Sequence, residues 1–348
     1  MNPTLEQVAQ LAGVSRSTVS RVINNSPYVR PEVRERVWKA IRECGYRPHA
    51  VARSLVTRRT GILGVVIPES VTTLFTDPFF SLLLCGVTEV CNAHKYLPML
   101  LLFNDPAGEE EMYQRVLRNG YVDGVIVASA TVDDPLVELM IRDGIPFVFV
   151  GRPLHPNVPC VDVDNVGGAR AAVEHLLRLG HRRIATIAGP ANMTSAQDRL
   201  EGYRQALEAY DLPIDERLIV HGDYTEGSGM RAMQRLLPAA PTAVFAASDI
   251  MAIGALKFLR QANLRVPEDI ALVSFDDIPA ASAVEPRLTT VRQPISQLGA
   301  LAVETLISLL RGAQPGTSVQ RMILPTELII RESCGALRLS TAERTERT

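Results

Sequence analysis

Two different spacings of apolar residues divide this chain. Over roughly the first sixty residues they recur at helical intervals. Leu5, Val8, Ala9 and Ala12 stand at i, i+3, i+4 and i+7, the buried stripe of a short helix, and Thr4 and Gln7 are spaced to form a capping box at its start. Gly13 ends that helix, and Ser15 is placed to cap a second one whose inner side is Val19, Val22 and Ile23. A third helix is expected from Pro31, a residue suited to the first helical position, with Val33, Val37, Ala40, Ile41 and Cys44 along one side and Gly45 as its stop. Helix, tight glycine turn and helix together predict a helix-turn-helix. Beyond Tyr46, the stretch HAVARSLVTRRTG is helix-prone, but Val51, Ala52 and Leu55 make too small an apolar face to hold a helix alone, so order there is expected only with a partner.

From Gly61 the pattern changes to short β-branched runs that alternate with amphipathic helical stretches. GILGVVIP, YLPMLLLF, VDGVIVAS and PFVFVG form one set, and RIATIAG, LIVHGDY, AVFAAS and IALVSF form another. Continuous apolar runs of this length read as buried parallel strands in βαβ units. They are too many for one compact sheet. Two similar α/β lobes are therefore predicted, with VPCVDVDN between the sets and PRLTTVRQP and MILPTELIIR as later crossovers. Open α/β sheets take ligands beyond the carboxyl ends of their strands. That rule singles out Asp164 and Asn165, Tyr224, Ser248 and Asp249, and Asp276 and Asp277. Carboxylates and amides suit vicinal hydroxyls, and an aromatic face covers the apolar side of a sugar or base. A strand-end Asp is equally a helix cap, a reading that applies to Asp249 before IMAIGAL and to Asp77 in TDPFF; Phe79 and Phe80 suit core or pocket.

Charge sharpens this division. The net charge of −2 conceals eleven Lys and Arg against four Asp and Glu in residues 1–60, a balance of +7, with −9 left for the remainder. A basic end on an acidic body points to a polyanion as partner of that end alone. On the second helix Arg16, Ser17, Ser20, Arg21 and Asn24 are left free by the buried valines, and such side chains suit phosphates and base edges in a major groove. The five cysteines, Cys44, Cys85, Cys91, Cys160 and Cys334, are scattered and lack metal spacing, so reduced thiols in a cytoplasm are expected. No apolar run approaches the ~20 residues of a membrane span, and MNPTLEQVAQ does not read as an export signal. An exported sugar-binding protein would share the two lobes but needs such a signal and no basic head. A nucleotide-dependent enzyme is disfavoured because GxxxxGK[ST] and a GxGxxG after the first strand are absent, as is a nucleophile with a neighbouring base. Acid–base work by Asp276 and Asp277 needs more assumptions than binding. No catalytic residue, metal or cofactor is expected.

The order TLEQVAQLAGVSRSTVSRVINN, RPEVRERVWKAIRECGYRPHAVARSL and GILGVVIP resembles the LacI/GalR family of bacterial repressors over nearly the whole chain. The resemblance implies an α/β fold: a helix-turn-helix domain over 1–47, a hinge helix and linker over 48–60, and a two-lobed periplasmic-binding-protein-like domain with parallel sheets. Its first lobe is expected over 61–161 and 291–320, and its second over 162–290 and 321–335. The resemblance further implies that Arg16 and Ser17 choose the operator sequence and that Arg21 also contacts DNA. Leu55 in the hinge becomes a minor-groove wedge. The full expected DNA-contacting set is Thr4, Ser15, Arg16, Ser17, Thr18, Ser20, Arg21, Asn24, His49, Ala52, Arg53 and Leu55. Two departures stand out: Arg30-Pro31 replaces a Ser cap, and His49 stands where the family has Asn. In the cleft the resemblance implies Arg199 as the effector-binding arginine with Asp276 opposite, Tyr224 as an aromatic wall, and Asp77, Phe79, Phe80, Asp164, Ser248 and Gln293 nearby.

The expected function is a repressor bound to pseudo-palindromic double-stranded operator DNA and controlled by a small effector, a sugar or else a nucleoside or purine. Two heads at half-site spacing share their binding energies, so a homodimer is expected. IMAIGALKFL and the helix over 79–95 supply apolar surface for it or else belong to the core. The short polar tail CGALRLSTAERTERT carries no leucine heptad for a tetramer.

Overall fold

The computed structural model describes residues 3–23, 26–46, 59–67, 71–103, 105–128, 132, 135–312 and 321–336. The chain divides into two compact units, a smaller one of Met1–Gly61, grouped with Gly120–Val122, that contains the head, and a larger one of Ile62–Asn119 and Asp123–Thr348.

The head is built from α1 (Leu5–Ala12), α2 (Arg16–Ile23) and α3 (Pro31–Cys44). Local chemistry sets each end. Thr4 Oγ1 accepts from the Gln7 amide at 3.3 Å, while Gln7 Oε1 accepts from the Thr4 amide at 2.8 Å, closing the capping box. Gly13 and Gly45 terminate α1 and α3 in the left-handed region, at φ 63° and 66°, where only glycine is unstrained. Val8, Val19, Val22 and Val37 are fully buried together and form the centre of this small core. No side chain caps α3 at Arg30, and Pro31 begins the helix without one.

In the larger unit twelve strands form two six-stranded sheets among the described residues. The first has the order β11 (Arg321–Leu324), β5 (Cys160–Val163), β4 (Phe147–Val150), β3 (Gly124–Ala128), β1 (Ile62–Ile67), β2 (Leu97–Leu102), all parallel. The second runs β12 (Glu327–Ile329), β10 (Thr289–Arg292), β9 (Ala271–Asp276), β8 (Ala243–Ala246), β6 (Ile184–Ala188), β7 (Ile219–His221), with only β12 antiparallel to its neighbour.

Sheet membership corrects three expected lobe boundaries. Residues 321–324 pair with Cys160–Val163 and so close the edge of the first sheet, where the second lobe was expected. Residues 160–163 belong to the first sheet as a whole, and 289–292 belong to the second. Apolar runs mark these strands, but the sheet that receives them depends on non-local partners, which for 321–324 lie over a hundred residues away. The chain thus passes between lobes three times, over 163–165, 292–295 and 324–327.

Glycines bring neighbouring helices of both lobes into unusually close contact. A Cβ on Gly86 would stand 1.8 Å from the Ser296 carbonyl oxygen, which holds helix Pro78–Ala93 against Ile295–Leu310. A Cβ on Gly254 would stand 2.0 Å from the Glu226 carbonyl oxygen, joining Asp249–Gln261 to Glu226–Leu236 in the same way. The glycine-bearing faces of both helices weighed for self-association are therefore core. Among the described residues no helix is long and apolar enough to cross a membrane.

Candidate functional site

In the head, the turn after Gly13 presents the start of α2 to solvent. Ser15 Oγ accepts from the Thr18 amide at 3.2 Å and shares hydrogen bonds of 2.8 and 2.9 Å with the hydroxyls of Ser17 and Thr18. With the turn so fixed, Arg16, Ser17 and Arg21 are exposed on the side of α2 opposite Val19 and Val22, alongside exposed Thr4 and half-buried Thr18 and Ser20. Arg16 makes one loose ion pair with Glu6, at 3.9 Å. Asn24, His49, Ala52, Arg53 and Leu55 lie outside the described residues.

In the larger unit a cleft of about 770 Å³, its open mouth included, lies between the lobes at the carboxyl ends of the strands. Asp77, Phe79 and Phe80 enter it from the start of helix Pro78–Ala93, and Asp162 from β5. Asn165, Arg199, Tyr224, Ser248, Asp276 and Gln293 face them from the second lobe and its crossover.

Arg199 organises the floor. It donates from Nε to Asn165 Oδ1 at 2.9 Å, and from Nη1 to the Ala247 carbonyl at 2.6 Å and Asp276 Oδ1 at 3.1 Å. Its guanidinium carbon stands 3.8 Å from the centre of the Phe275 ring, a cation–π contact that fixes its plane. Gln293 donates to the same Asp276 oxygen at 2.6 Å. Burial raises the Asp276 carboxyl above its ordinary range, against the pull of Arg199, and the Asp77 carboxylate raises it further. Asp276 and Tyr224 hold φ of 112° and 62°, so two pocket side chains hang from backbone that L-residues rarely adopt.

Several strand-end residues have other tasks. Asp164 is exposed, caps helix Asn165–Arg178 by accepting from the Gly167 amide at 2.8 Å, and does not line the cleft. Its capping turn directs Asn165 inward in its place. Asp277 turns away from Asp276 and accepts from Arg331 at 2.6 Å and Arg292 at 2.7 Å, which removes it from any acid–base pair. Ser248, and not Asp249, caps the following helix, accepting from the Met251 amide at 3.2 Å. Asp249 is fully buried and accepts from Ser274 Oγ at 2.5 Å, Thr290 Oγ1 at 2.6 Å and the Ile278 amide at 2.8 Å, fastening the turn that carries Asp276. Asp77 both caps its helix, accepting from the Phe79 amide at 2.9 Å, and lines the cleft.

Asp162, Met193, Thr194, Ser195 and Asp223 line the cleft without having been singled out. Asp162 carried a signal: a carboxylate inside the apolar run CVDV. It accepts from the Val163 amide at 2.8 Å and Asn165 Nδ2 at 3.1 Å, and burial pushes its pKa up to about 6. At the cleft edge Arg152 of the first lobe grips Asp198 of the second with two hydrogen bonds, of 2.9 and 2.7 Å. The Val132 amide also donates across the lobes to the Asn192 carbonyl at 2.7 Å. Among the described residues no group of His, Cys, Asp and Glu is arranged to hold a metal ion.

Comparison with known proteins adds to this geometry. Residues 4–49 match the family described as "Bacterial regulatory proteins, lacI family", and residues 173–334 match a "Periplasmic binding protein-like domain". The chain is 45% identical over 336 residues to the HTH-type transcriptional regulator CelR of Thermobifida fusca, spanning 95% of this chain and 98% of that one. It is 39% identical to the ribose operon repressor of Escherichia coli K12, across 95% and 99% of the two chains. Among solved structures, a transcriptional regulator CelR–cellobiose complex matches with a TM-score of 0.76 at 42% identity, covering 95% of this chain and all of that one. The lac repressor dimer bound to operator and the anti-inducer ONPF matches with a TM-score of 0.83 at 28% identity, covering 96% and 99%.

Proposed function

This chain belongs to the lacI family of bacterial regulatory proteins, a family of sequence-specific DNA-binding transcriptional regulators and not of enzymes, and on that premise we propose that it is a homodimeric repressor controlled by a sugar. The observation that carries the sugar reading is the buried Arg199–Asp276 pair, held by Asn165 and Gln293 in a cleft that Tyr224 and Phe79 also line. Fixed charged and amide groups there meet vicinal hydroxyls, and the aromatic faces cover the apolar side of a sugar ring. The similar regulator solved with cellobiose makes that disaccharide the first ligand to test, and the similar ribose operon repressor makes ribose the second. The same aromatic faces suit a nucleobase, which keeps a nucleoside as the alternative.

On the DNA side, Arg16 and Ser17 read base edges, while Arg21, Thr4, Ser15, Thr18, Ser20 and Asn24 seat the head. Residues 48–60, with His49, Ala52, Arg53 and Leu55, act as the hinge over the minor groove. Two heads at half-site spacing multiply weak single contacts through effective concentration, and the lac repressor dimer on operator supports that assembly. The effector acts by favouring one lobe arrangement over another.

Calorimetry of the full chain with cellobiose, ribose and adenosine, followed by titration of a selected operator with and without the ligand that binds, tests this. Heat with a sugar and a ligand-dependent operator affinity are expected. Heat with adenosine alone moves the reading to nucleosides, and operator affinity indifferent to every ligand refutes effector control.

A further inference from the structure

The head meets a polyanion, yet it sets one acid beside its reading helix. Glu6 is the only Asp or Glu in the first 31 residues, and its Oε2 stands 3.9 Å from Nη1 of Arg16. Both side chains are open to solvent, Glu6 at 76% and Arg16 at 71% exposure, so neither is needed to fill the core. A carboxylate in that place is repelled by DNA phosphates and is unfavourable for affinity alone. Its use has to lie in what it does to Arg16.

The fold of the head fixes the backbone at both members of the pair. Glu6 is the second residue of α1, whose start is closed by the reciprocal bonds of Thr4 and Gln7. Arg16 is the first residue of α2, whose start is held by Ser15 with the hydroxyls of Ser17 and Thr18. Val8 and Ala9 of α1 share one core with Val19 and Val22 of α2, which keeps the two helix starts at a set spacing. The arginine side chain itself is long and rich in rotamers, and beside DNA the nearest phosphate competes with a base edge for its guanidinium. A guanidinium has five N–H donors and uses two of them on the O6 and N7 of a guanine. Three remain, from which a carboxylate within reach can accept without displacing the base.

We propose that Glu6 is a positioning residue for base reading, which accepts from Arg16 and so holds the guanidinium toward a guanine edge in the major groove and away from the phosphates. The inference rests on the reading of Arg16 as a base-contacting residue. Glu6 lowers affinity for every duplex through its charge, and it raises selectivity because the tethered arginine is satisfied only where its guanine is present. An acid in the first turn of α1 also meets the partial positive charge of that helix start. That role alone stabilises the head and leaves sequence choice untouched, so experiment separates the two.

The test uses the full chain and an operator that the native protein selects from a pool of random duplexes. Competition binding compares the native protein, Glu6→Gln, Arg16→Ala and the double variant on that operator and on versions with each base pair of a half-site replaced in turn. Glu6→Gln is expected to lower discrimination roughly two- to fivefold at the one base pair where Arg16→Ala also lowers it, with the other positions unchanged and random duplex bound at least as tightly as by the native protein. In the Arg16→Ala background, Glu6→Gln is expected to change discrimination nowhere. Native discrimination in Glu6→Gln, whether or not its affinity falls evenly on all duplexes, would leave Glu6 with the helix start alone. An equal loss of discrimination with and without Arg16 would mean that Glu6 acts on DNA by itself. Either result overturns the positioning role alone. If Arg16→Ala weakens every duplex equally, the base-reading role of Arg16 fails and takes this inference with it.

Discussion

Asp162→Asn is a sensitive probe of the cleft because it changes charge without changing shape. Asp162 is 6% exposed, and burial pushes its pKa up to about 6, with Asp198 adding to the rise and Arg199 and Arg152 opposing it. In the unfolded chain the same carboxyl titrates near ~3.9. Between those values the folded protein holds a proton that the unfolded chain has released. The contribution is therefore fully present below about pH 4 and lost as pH rises through about 6. Two pKa units correspond to ~3 kcal/mol at most. An amide at this position still accepts from the Val163 amide and Asn165 Nδ2, so the variant keeps both local hydrogen bonds. At about 2 °C per kcal/mol for a unit of this size, Asp162→Asn should melt roughly 5 °C higher than the native protein at pH 7.5 and nearly level with it at pH 4. Scanning calorimetry of both proteins at half-unit pH steps measures the difference curve. A difference that is flat across that range, or one that grows toward acid, would refute a destabilising buried carboxylate here.

Three further outcomes are expected. Arg199→Met removes the donors to Asn165, Ala247 and Asp276, so it should cost about 3–5 kcal/mol, less whatever Asp276 recovers by taking up a proton; thermal melts give the loss, and cellobiose affinity that survives it would move the site elsewhere. Arg16→Ala should weaken the preferred operator by roughly 1–3 kcal/mol and relax sequence choice; in competition binding, an equal loss on every sequence would reassign Arg16 to phosphate. Asp198→Asn loosens the grip of Arg152, whose side chain is 40% exposed, so stability should change by less than about 1 kcal/mol. Hydrogen exchange near 151–153 and 192–198 should nevertheless quicken, and unchanged exchange would mean that the pair does not hold the lobes.

The head was legible in detail because its determinants are local: Thr4 with Gln7, Gly13, Ser15, Pro31 and Gly45 each act within one turn of their own position. Strands were legible as apolar runs, but their sheet was not, since residues 321–324 are assigned by Cys160–Val163 and not by their neighbours. In the cleft, the carboxyl-end rule led to Asn165, Tyr224, Ser248 and Asp276. It failed for Asp164 and Asp277, where a cap and two arginines compete for the carboxylate.

The threading of the chain between the lobes also sets an order of completion during synthesis. The three helices of the head and its hydrophobic core lie within the first 46 residues and can form as soon as they clear the ribosome. The first sheet must wait for Arg321–Leu324 to cover β5, and its lobe also waits for helix Ile295–Leu310. At about 5–20 residues per second, roughly 8–30 s separate the emergence of β5 from that of its edge strand. Over that interval β5 offers an open edge to other nascent chains, and the buried-type carboxylate of Asp162 is the sort of inward charge that discourages such pairing. A ribosome stalled before codon 321 would therefore carry a finished DNA-reading head attached to a body that has no completed cleft to govern it.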